Sequence, residues 1–269
     1  SRPACFITLS AYPFARKSPH CSCLLRPSLS PRTRYCLNES NPACANRLRR
    51  AGEIKSIAMS YKPNYKYIPP ITWPVLTPLY DFACTISGLG SGFKARVLNS
   101  VQLRDGMTVA DIGCGTGVFL KVAKQKYPNV RFIGLDPDKQ ALAIAERRLA
   151  ESRLSVELKE AFSESLPLPD QSVDVCFSTL AFHHMPNNIK RDAMKEIYRV
   201  LKDGGKVIIG DFGATESLLL RKILFFEKLE YIDGNFKGLI PQYLKEANFK
   251  NIKVVNHHFP GIDIVVAKK

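Results

Sequence analysis

The stretch "VADIGCGTG", Val109 to Gly117, decides how the chain is read. A short apolar run carries one acid, Asp111, and then breaks into glycines at alternate positions, Gly113, Gly115 and Gly117, with Cys114 between the first two. Such a break marks a strand turning sharply into a helix, where open α/β sheets hold nucleotide-like ligands. The spacing is one residue shorter than the G-x-G-x-x-G that lays a pyrophosphate on a helix N-terminus. No Gly-Lys-Ser/Thr follows, which excludes a P-loop. Asp111 would repel a pyrophosphate, yet it suits a ligand bearing a cationic amino group.

A second acid extends the reading downstream. Asp136 ends "RFIGLD", 19 residues beyond Gly117, where a carboxylate can accept hydrogen bonds from both hydroxyls of a ribose. NAD and S-adenosylmethionine sites both use such an acid. Only the second ligand also brings the ammonium that Asp111 asks for.

The surrounding sequence alternates short β-branched runs with helical periods, the pattern of βαβ units. Strands are expected at 108–112, 131–135, 155–158, 173–178 and 206–210, and helices at 118–126, 139–150 and 189–201. "KDGG" (202–205) is read as the turn that ends the third of these helices. Beyond Asp211, "ESLLLRKILFFEKLEYI" and "GLIPQYLKEANF" read as helices. "NIKVVNH" and "GIDIVVAKK" then follow with only a short loop between them, which makes them antiparallel. The fold class expected is α/β: a Rossmann-like, seven-stranded, mostly parallel sheet with a C-terminal antiparallel hairpin and helices on both faces.

Three segments are expected: 1–58, 59–104 and 105–269. The chain of 269 residues carries a net charge of +15, but the charge is uneven. Residues 1–58 hold ten Lys and Arg against Glu39 and Glu53 alone, while the rest holds 29 bases against 22 acids. The first segment is rich in Ser, Pro and Arg and lacks a lasting period, so it cannot bury enough apolar surface to offset its ordering entropy. It reads as a targeting presequence, a disordered tail, or translated upstream sequence with Met59 as the start; its density of Cys and Pro favours the last. Cys5, Cys21, Cys23, Cys36 and Cys44 lie here without paired Cys-x-x-Cys knuckles, and Cys84, Cys114 and Cys176 are scattered, so no metal site is expected. Scattered thiols point to a reducing compartment, the cytoplasm, or an organelle if the segment is a genuine presequence. No apolar run is long enough to cross a membrane. The second segment, with Tyr65, Tyr67, Trp73, Tyr80, Phe82 and Phe93 and a "GLGSG" at 88–92, reads as an N-terminal helix packed on the sheet or a lid over the site.

Taken together, these residues resemble the class I S-adenosylmethionine-dependent methyltransferases. "VADIGCGTG" is similar to their first motif and Asp136 in "GLDPD" to the acid of their second strand. "ESLPLPDQSVDVCFSTLAFHHM" (164–185) and "EIYRVLKDGGKVII" (196–209) resemble the branch that contains the ubiquinone/menaquinone biosynthesis methyltransferases, as does "LYDFACTISGLGSGFKARVL" (79–98). The resemblance spans roughly residues 79–267. It implies S-adenosylmethionine as cofactor, with Gly113, Cys114, Gly115 and Gly117 under its methionine part and Asp111 toward the ammonium. Asp136 would take the ribose, and Pro137 or Asp138 would border the adenine. Phe162 and Ser163 stand where the family has a polar residue and a small one, which leaves backbone groups or ring stacking to recognise the base. Thr179 aligns with a hydroxyl near the cofactor.

For catalysis, "STLAFHHM" delivers His183 and His184 to the carboxyl edge of the sheet, where a histidine can act as general base. Tyr80 and Asp81 are weaker candidates. The Asn/Asp-Pro-Pro-Tyr motif of many nucleic-acid and protein methyltransferases is absent, with "STLA" in its place, and no Pro-Cys nucleophile follows the fourth strand. The expectation is methyl transfer to an O or C atom of a small apolar or aromatic molecule, quinone-precursor-like. The alternatives are a non-catalytic or regulatory S-adenosylmethionine-binding module, or an RNA or protein methyltransferase. No stable nucleic-acid partner is expected; transient contact with a membrane surface and the oligomeric state stay open.

Overall fold

The computed structural model describes residues 89–214, 231–257 and 261–269. Seven strands form one sheet: β1 (Thr108–Ile112), β2 (Arg131–Asp136), β3 (Glu157–Glu160), β4 (Val173–Thr179), β5 (Leu201–Phe212), β6 (Lys250–His257) and β7 (Ile262–Lys268). Their order is β3-β2-β1-β4-β5-β7-β6. The first five run parallel, while β7 is antiparallel to both β5 and β6. The strand order therefore reverses between β1 and β4, the switch point at which ligands of open sheets bind. The expected architecture is borne out, hairpin included.

Among the described residues six helices accompany these strands: α1 (Ser91–Asn99), α2 (Val118–Lys126), α3 (Lys139–Glu151), α4 (Asn187–Val200), the single turn α5 (Asp233–Phe236) and α6 (Ile240–Glu246). Alternation along each strand sends side chains to two buried layers. Val109, Phe132 and Phe177 meet Phe93 and Val97 of α1, Phe119 and Leu120 of α2 and Leu149 of α3. Ala110, Ile112, Ile133 and Cys176 meet Met194 and Ile197 of α4 and Tyr243 and Leu244 of α6 on the other side. Burying one such side chain contributes on the order of 1.5–3 kcal/mol. The buried side of α4 is the four-residue recurrence Ile189, Ala193, Ile197 that the sequence displays.

Two local expectations need correction. "KDGG" is not a turn between elements: α4 ends at Val200 and β5 begins at Leu201. Leu201 lies opposite Val173 and Lys206 opposite Val175, so the four residues bulge out of a continuing strand. Gly204 takes the positive φ this demands (+78°), and Lys202 clasps both oxygens of Asp174 at 2.8 Å. The third strand, expected from residue 155, starts at Glu157. The helix expected over "ESLLLRKILFFEKLEYI" and most of the 59–104 segment lie outside the described residues, as does the whole of 1–58.

One charged network shapes the loop between β3 and β4. Arg199 of α4 donates to the carbonyls of Leu166 (3.0 Å) and Leu168 (2.9 Å) and to the carboxylates of Glu196 and Asp170. Glu196 in turn accepts from the Leu166 N–H at 3.0 Å. Arg199→Ala would take the cation from Glu196 and Asp170 and the donors from two loop carbonyls. It should lower unfolding free energy by about 3 kcal/mol in urea denaturation, with Arg199→Lys recovering only part because it lacks the planar fork. Equal stability of Ala and Lys variants would contradict this account.

Candidate active site

The glycine turn sits at the carboxyl end of β1, as its sequence requires. The N–H groups of Gly113 and Cys114 both donate to the Leu135 carbonyl, at 2.8 and 3.1 Å, so the turn is bolted to β2. The later glycines serve different ends. Gly117 (φ +75°) lets α2 start against α3: a Cβ there would lie 2.8 Å from that of Ala145. Gly115 (φ +51°) faces open space, with nothing within 4 Å of where a Cβ would stand. Close packing explains Gly117, whereas at Gly115 the backbone itself borders an open cradle.

Two acids flank this cradle. Asp136, at the end of β2, accepts from the Gly115 N–H (2.8 Å) and the Asp138 N–H (2.9 Å) on separate oxygens. A carboxylate has about four acceptor sites, so capacity remains for two further donors. Burial raises its pKa to about 6, against the pull of those two backbone bonds. Asp111 is wholly buried, and neither of its oxygens has a hydrogen-bond partner. Burial raises its pKa to about 7, an effect that Lys94 opposes and Asp136 reinforces. An unpartnered buried carboxylate is costly unless a ligand completes it. A cationic amino group is the complement its chemistry calls for, so the residues present fit an amino-acid-bearing nucleoside.

Beyond β4 the chain makes a 3-10 turn, Phe182–His184, and Asp211 of β5 organises it. One oxygen of Asp211 accepts from the N–H groups of Ala181 (3.0 Å) and Phe182 (2.8 Å). The other accepts from His183 Nδ1 (2.8 Å) and the Phe212 N–H (2.7 Å). Burial alone would push the Asp211 pKa up, but the His183 ring and these bonds hold it below the usual carboxylate range. A carboxylate only accepts, so Nδ1 carries the hydrogen and Nε2 carries the lone pair whenever the ring is uncharged. Phe212 meets the His183 ring edge-on, with centroids 4.9 Å apart.

His184 lies against His183 with ring centroids 4.1 Å apart and planes tilted by 41°, yet its two ring nitrogens are enclosed and have no partner. Burial, with the neighbouring His183 next, pushes its pKa down to about 3. The two histidines, equivalent in sequence, thus differ in kind: one is aligned by a carboxylate and the other is a half-buried ring whose nitrogens have no partner. Nearby, the enclosed Lys190 of α4 donates to the Tyr231 carbonyl (2.7 Å) and Asn235 Oδ1 (2.6 Å), tying α5 to α4.

The remaining sequence candidates fall around the same edge. Cys114 is buried, and burial followed by Asp136 and Asp111 raises its pKa far above the usual thiol range; it fills space as a thiol. Pro137 is half-buried, and Asp138 caps α3 by accepting from the N–H groups of Gln140 and Ala141. Ala161 N–H donates to the Asp136 carbonyl, which brings the half-buried Phe162 and the buried Ser163 beside Asp136. Thr179 ends β4 with its hydroxyl accepting from Lys94 of α1 at 2.7 Å. Tyr80 and Asp81 lie outside the described residues. Sequence reasoning missed Asp211 and Lys94. An acid closing the apolar run "KVIIGD" was a signal for the first; nothing local marked the second. Among the described residues no group of three or more His, Cys, Asp or Glu side chains is placed to hold a metal ion, and no helix is long and apolar enough to cross a membrane.

Comparison with known proteins agrees with this geometry. A methyltransferase-domain family profile matches residues 109–205, from the start of the glycine turn to the β5 bulge. Residues 109–205 thus carry a methyltransferase domain, and the chain is similar to the class I S-adenosylmethionine-dependent methyltransferases. Among relatives of this methyltransferase, the demethylmenaquinone methyltransferase of Lactobacillus johnsonii is 28% identical over 187 residues, covering 68% of this chain and 73% of the relative. The ubiquinone/menaquinone biosynthesis C-methyltransferase of Geobacter sulfurreducens is 29% identical over 171 residues, 60% of this chain and 65% of its own length. Two solved structures share the fold. The Haemonchus contortus phosphoethanolamine N-methyltransferase 2, in complex with phosphomonomethylethanolamine and S-adenosylhomocysteine, has a TM-score of 0.57 at 23% identity over 67% of this chain. The present chain spans 43% of that protein's length. A Thermotoga maritima S-adenosylmethionine-dependent methyltransferase, a possible histamine N-methyltransferase by its description, has a TM-score of 0.56 at 22% identity over 73% of this chain and 97% of its own.

The unpartnered Asp111 makes a stability prediction with a definite sign. Its pKa rises from 3.8 to about 7 on folding, so its contribution to stability is complete below about pH 4 and lost as pH rises through 7. Asp111→Asn should therefore raise the melting temperature of the ligand-free methyltransferase at pH 8, with the gain shrinking toward pH 4. Thermal unfolding across that range checks it; a gain that grows toward low pH would contradict the burial of an unsatisfied carboxylate.

Proposed function

We propose that this methyltransferase transfers a methyl group to a carbon or oxygen atom of a small apolar or aromatic molecule of the quinone-precursor kind. The observation that carries the proposal is the Asp211–His183 pair at the carboxyl end of β4, on the same sheet edge as the cradle of Asp111, Gly115 and Asp136. The names of the sequence relatives, quinone methyltransferases among them, support the acceptor class.

When bound, S-adenosylmethionine supplies a methyl group already activated on a sulfonium, so the protein needs no electrophile of its own. Asp111 would hold the cofactor's ammonium, the Gly113–Gly117 turn with Cys114 would take the methionine part, and Asp136 would accept from the ribose hydroxyls. Pro137, Phe162 and Ser163 border the adenine. His183 Nε2 would take the proton from the acceptor's hydroxyl or acidic ring carbon, while Asp211 keeps the ring oriented through Nδ1 and would stabilise the imidazolium. Phe182 and Phe212 keep the neighbourhood apolar, which favours an aromatic acceptor over a charged one. The scattered thiols Cys84, Cys114 and Cys176 support a reducing, cytoplasmic setting for this reaction.

Thermal-shift titration with S-adenosylmethionine, S-adenosylhomocysteine and NAD tests the cofactor site, and stabilisation by the first two alone is expected. Asp136→Ala should weaken S-adenosylhomocysteine binding at least tenfold, since two charge-assisted bonds are lost. Methyl-labelled cofactor incubated with hydroquinone acceptors should label them. His183→Gln should lower that turnover by roughly 10²–10⁴-fold while leaving S-adenosylhomocysteine affinity unchanged. Labelling of RNA or protein instead of the ring compounds would overturn the acceptor assignment.

A further inference from the structure

Lys190 has no part in the chemistry proposed above, yet it is wholly buried in the first turn of α4. Its ammonium donates to the Tyr231 carbonyl at 2.7 Å, to Asn235 Oδ1 at 2.6 Å and to Asn187 Oδ1 at 3.3 Å. These acceptors are neutral, and together they engage every hydrogen of the ammonium. Burial lowers the Lys190 pKa to about 8, against the pull of Asp211 and Asp233, so the side chain is charged near neutral pH. A buried cation near the positive end of a helix dipole is opposed twice over, by desolvation and by the dipole. An apolar side chain would hold α4 on the sheet at less cost.

The partners of Lys190 show what that cost maintains. Asn235 is itself wholly buried, and its Nδ2 donates onward to the Phe212 carbonyl at 3.2 Å. The Phe212 N–H donates to the same Asp211 oxygen that accepts from His183 Nδ1. The Phe212 backbone is therefore gripped on both sides, by Asn235 and by Asp211. Its ring meets His183 edge-on at 4.9 Å, and Phe236 of α5 meets Phe212 edge-on at 6.2 Å. The α5 turn lies so close to the start of α4 that a Cβ at Gly234 would stand 2.1 Å from Asn187 Oδ1. One line of contacts thus runs from Lys190 through Asn235 to Phe212 and the His183 ring. The cation also acts through space, favouring an ionised Asp211 and opposing a proton on His184.

We propose that Lys190 is a positioning residue for the acceptor side of the site: through Asn235 it holds α5 and Phe212 against His183 and so fixes the ring that takes the proton. This role rests on the one given to His183 above. No member of the line belongs to the glycine turn, so the acceptor step and cofactor binding should respond to it separately.

The test uses the full chain with isotope-labelled histidine, each variant being measured below its unfolding midpoint. In the unaltered chain the His183 Nδ1–H should give a slowly exchanging proton resonance, because its bond to Asp211 is buried. Lys190→Met and Asn235→Leu should each speed exchange of that proton with water by about tenfold or more. Each should also lower kcat for hydroquinone methylation by roughly 10–100-fold, with S-adenosylhomocysteine affinity unchanged. The double variant Lys190→Met/Asn235→Leu removes donor and acceptor together, so no orphaned partner is left to unfold it. Since the two residues act as one unit, it should lose no more than either single variant. Additive losses in the double variant would overturn the proposal, as would lowered unfolding midpoints with exchange and kcat unchanged. A loss of S-adenosylhomocysteine affinity as large as the loss of kcat would do the same. Fast exchange in the unaltered chain sinks the alignment of His183 and this role with it. If the unaltered chain labels no hydroquinone, the acceptor assignment fails, and the exchange rates alone decide the role of Lys190.

Discussion

The four hydrogen bonds collected by the Asp211 carboxylate hold the working edge of this sheet together. A polar group so deep in a strand is tolerable only when its lone pairs are satisfied, and here three backbone N–H groups and one imidazole do so. The same bonds dictate where the chain turns after β4 and which nitrogen of His183 carries hydrogen. Fold and chemistry meet in one side chain. Removing it would orphan two N–H groups of the turn and release the ring.

Three carboxylates near the carboxyl ends of β1, β2 and β5 show how hydrogen-bond satisfaction sorts acids of one composition into different states. Asp211 is fully satisfied and stays ionised below the ordinary range. Asp136 has two donors and spare capacity, and burial lifts its pKa to about 6. Asp111 has none, and its pKa reaches about 7. The order runs from an acid with every lone pair engaged to one with two donors and one with none. Stability is given up at Asp111 in the ligand-free chain, and a bound cation would restore it. His184 is an enclosed polar group of another kind, an uncharged ring with no hydrogen-bond partner.

Helix α1 links the edge to the rest of the chain. It buries Phe93, Val97 and Leu98 on the layer shared with α2, yet it also delivers Lys94 to Thr179. The Arg199–Glu196 network does the same from the opposite face, fixing the loop that carries Phe162 and Ser163. Residues that look like surface charge on their helices thereby set the geometry of a site built by strands.

Local sequence determined the glycine turn, the periods of α2, α3 and α4, the alternation of strands and helices and the antiparallel ending. Each depends on backbone preference and on side-chain spacing within a few residues. The cradle acids Asp111 and Asp136 were legible for the same reason, since their distances from the turn are fixed by one βαβ unit. Tertiary structure alone decided what spacing cannot express. It set His183 apart from His184 by placing Asp211 beside the first ring and leaving the nitrogens of the second without a partner. It turned "KDGG" into a bulge because β5 pairs with β4 on both sides of it. It also brought Lys94 across 85 residues of chain to Thr179. Such contacts form between elements remote in sequence, where packing against a shared sheet face, and not local propensity, determines which side chains meet.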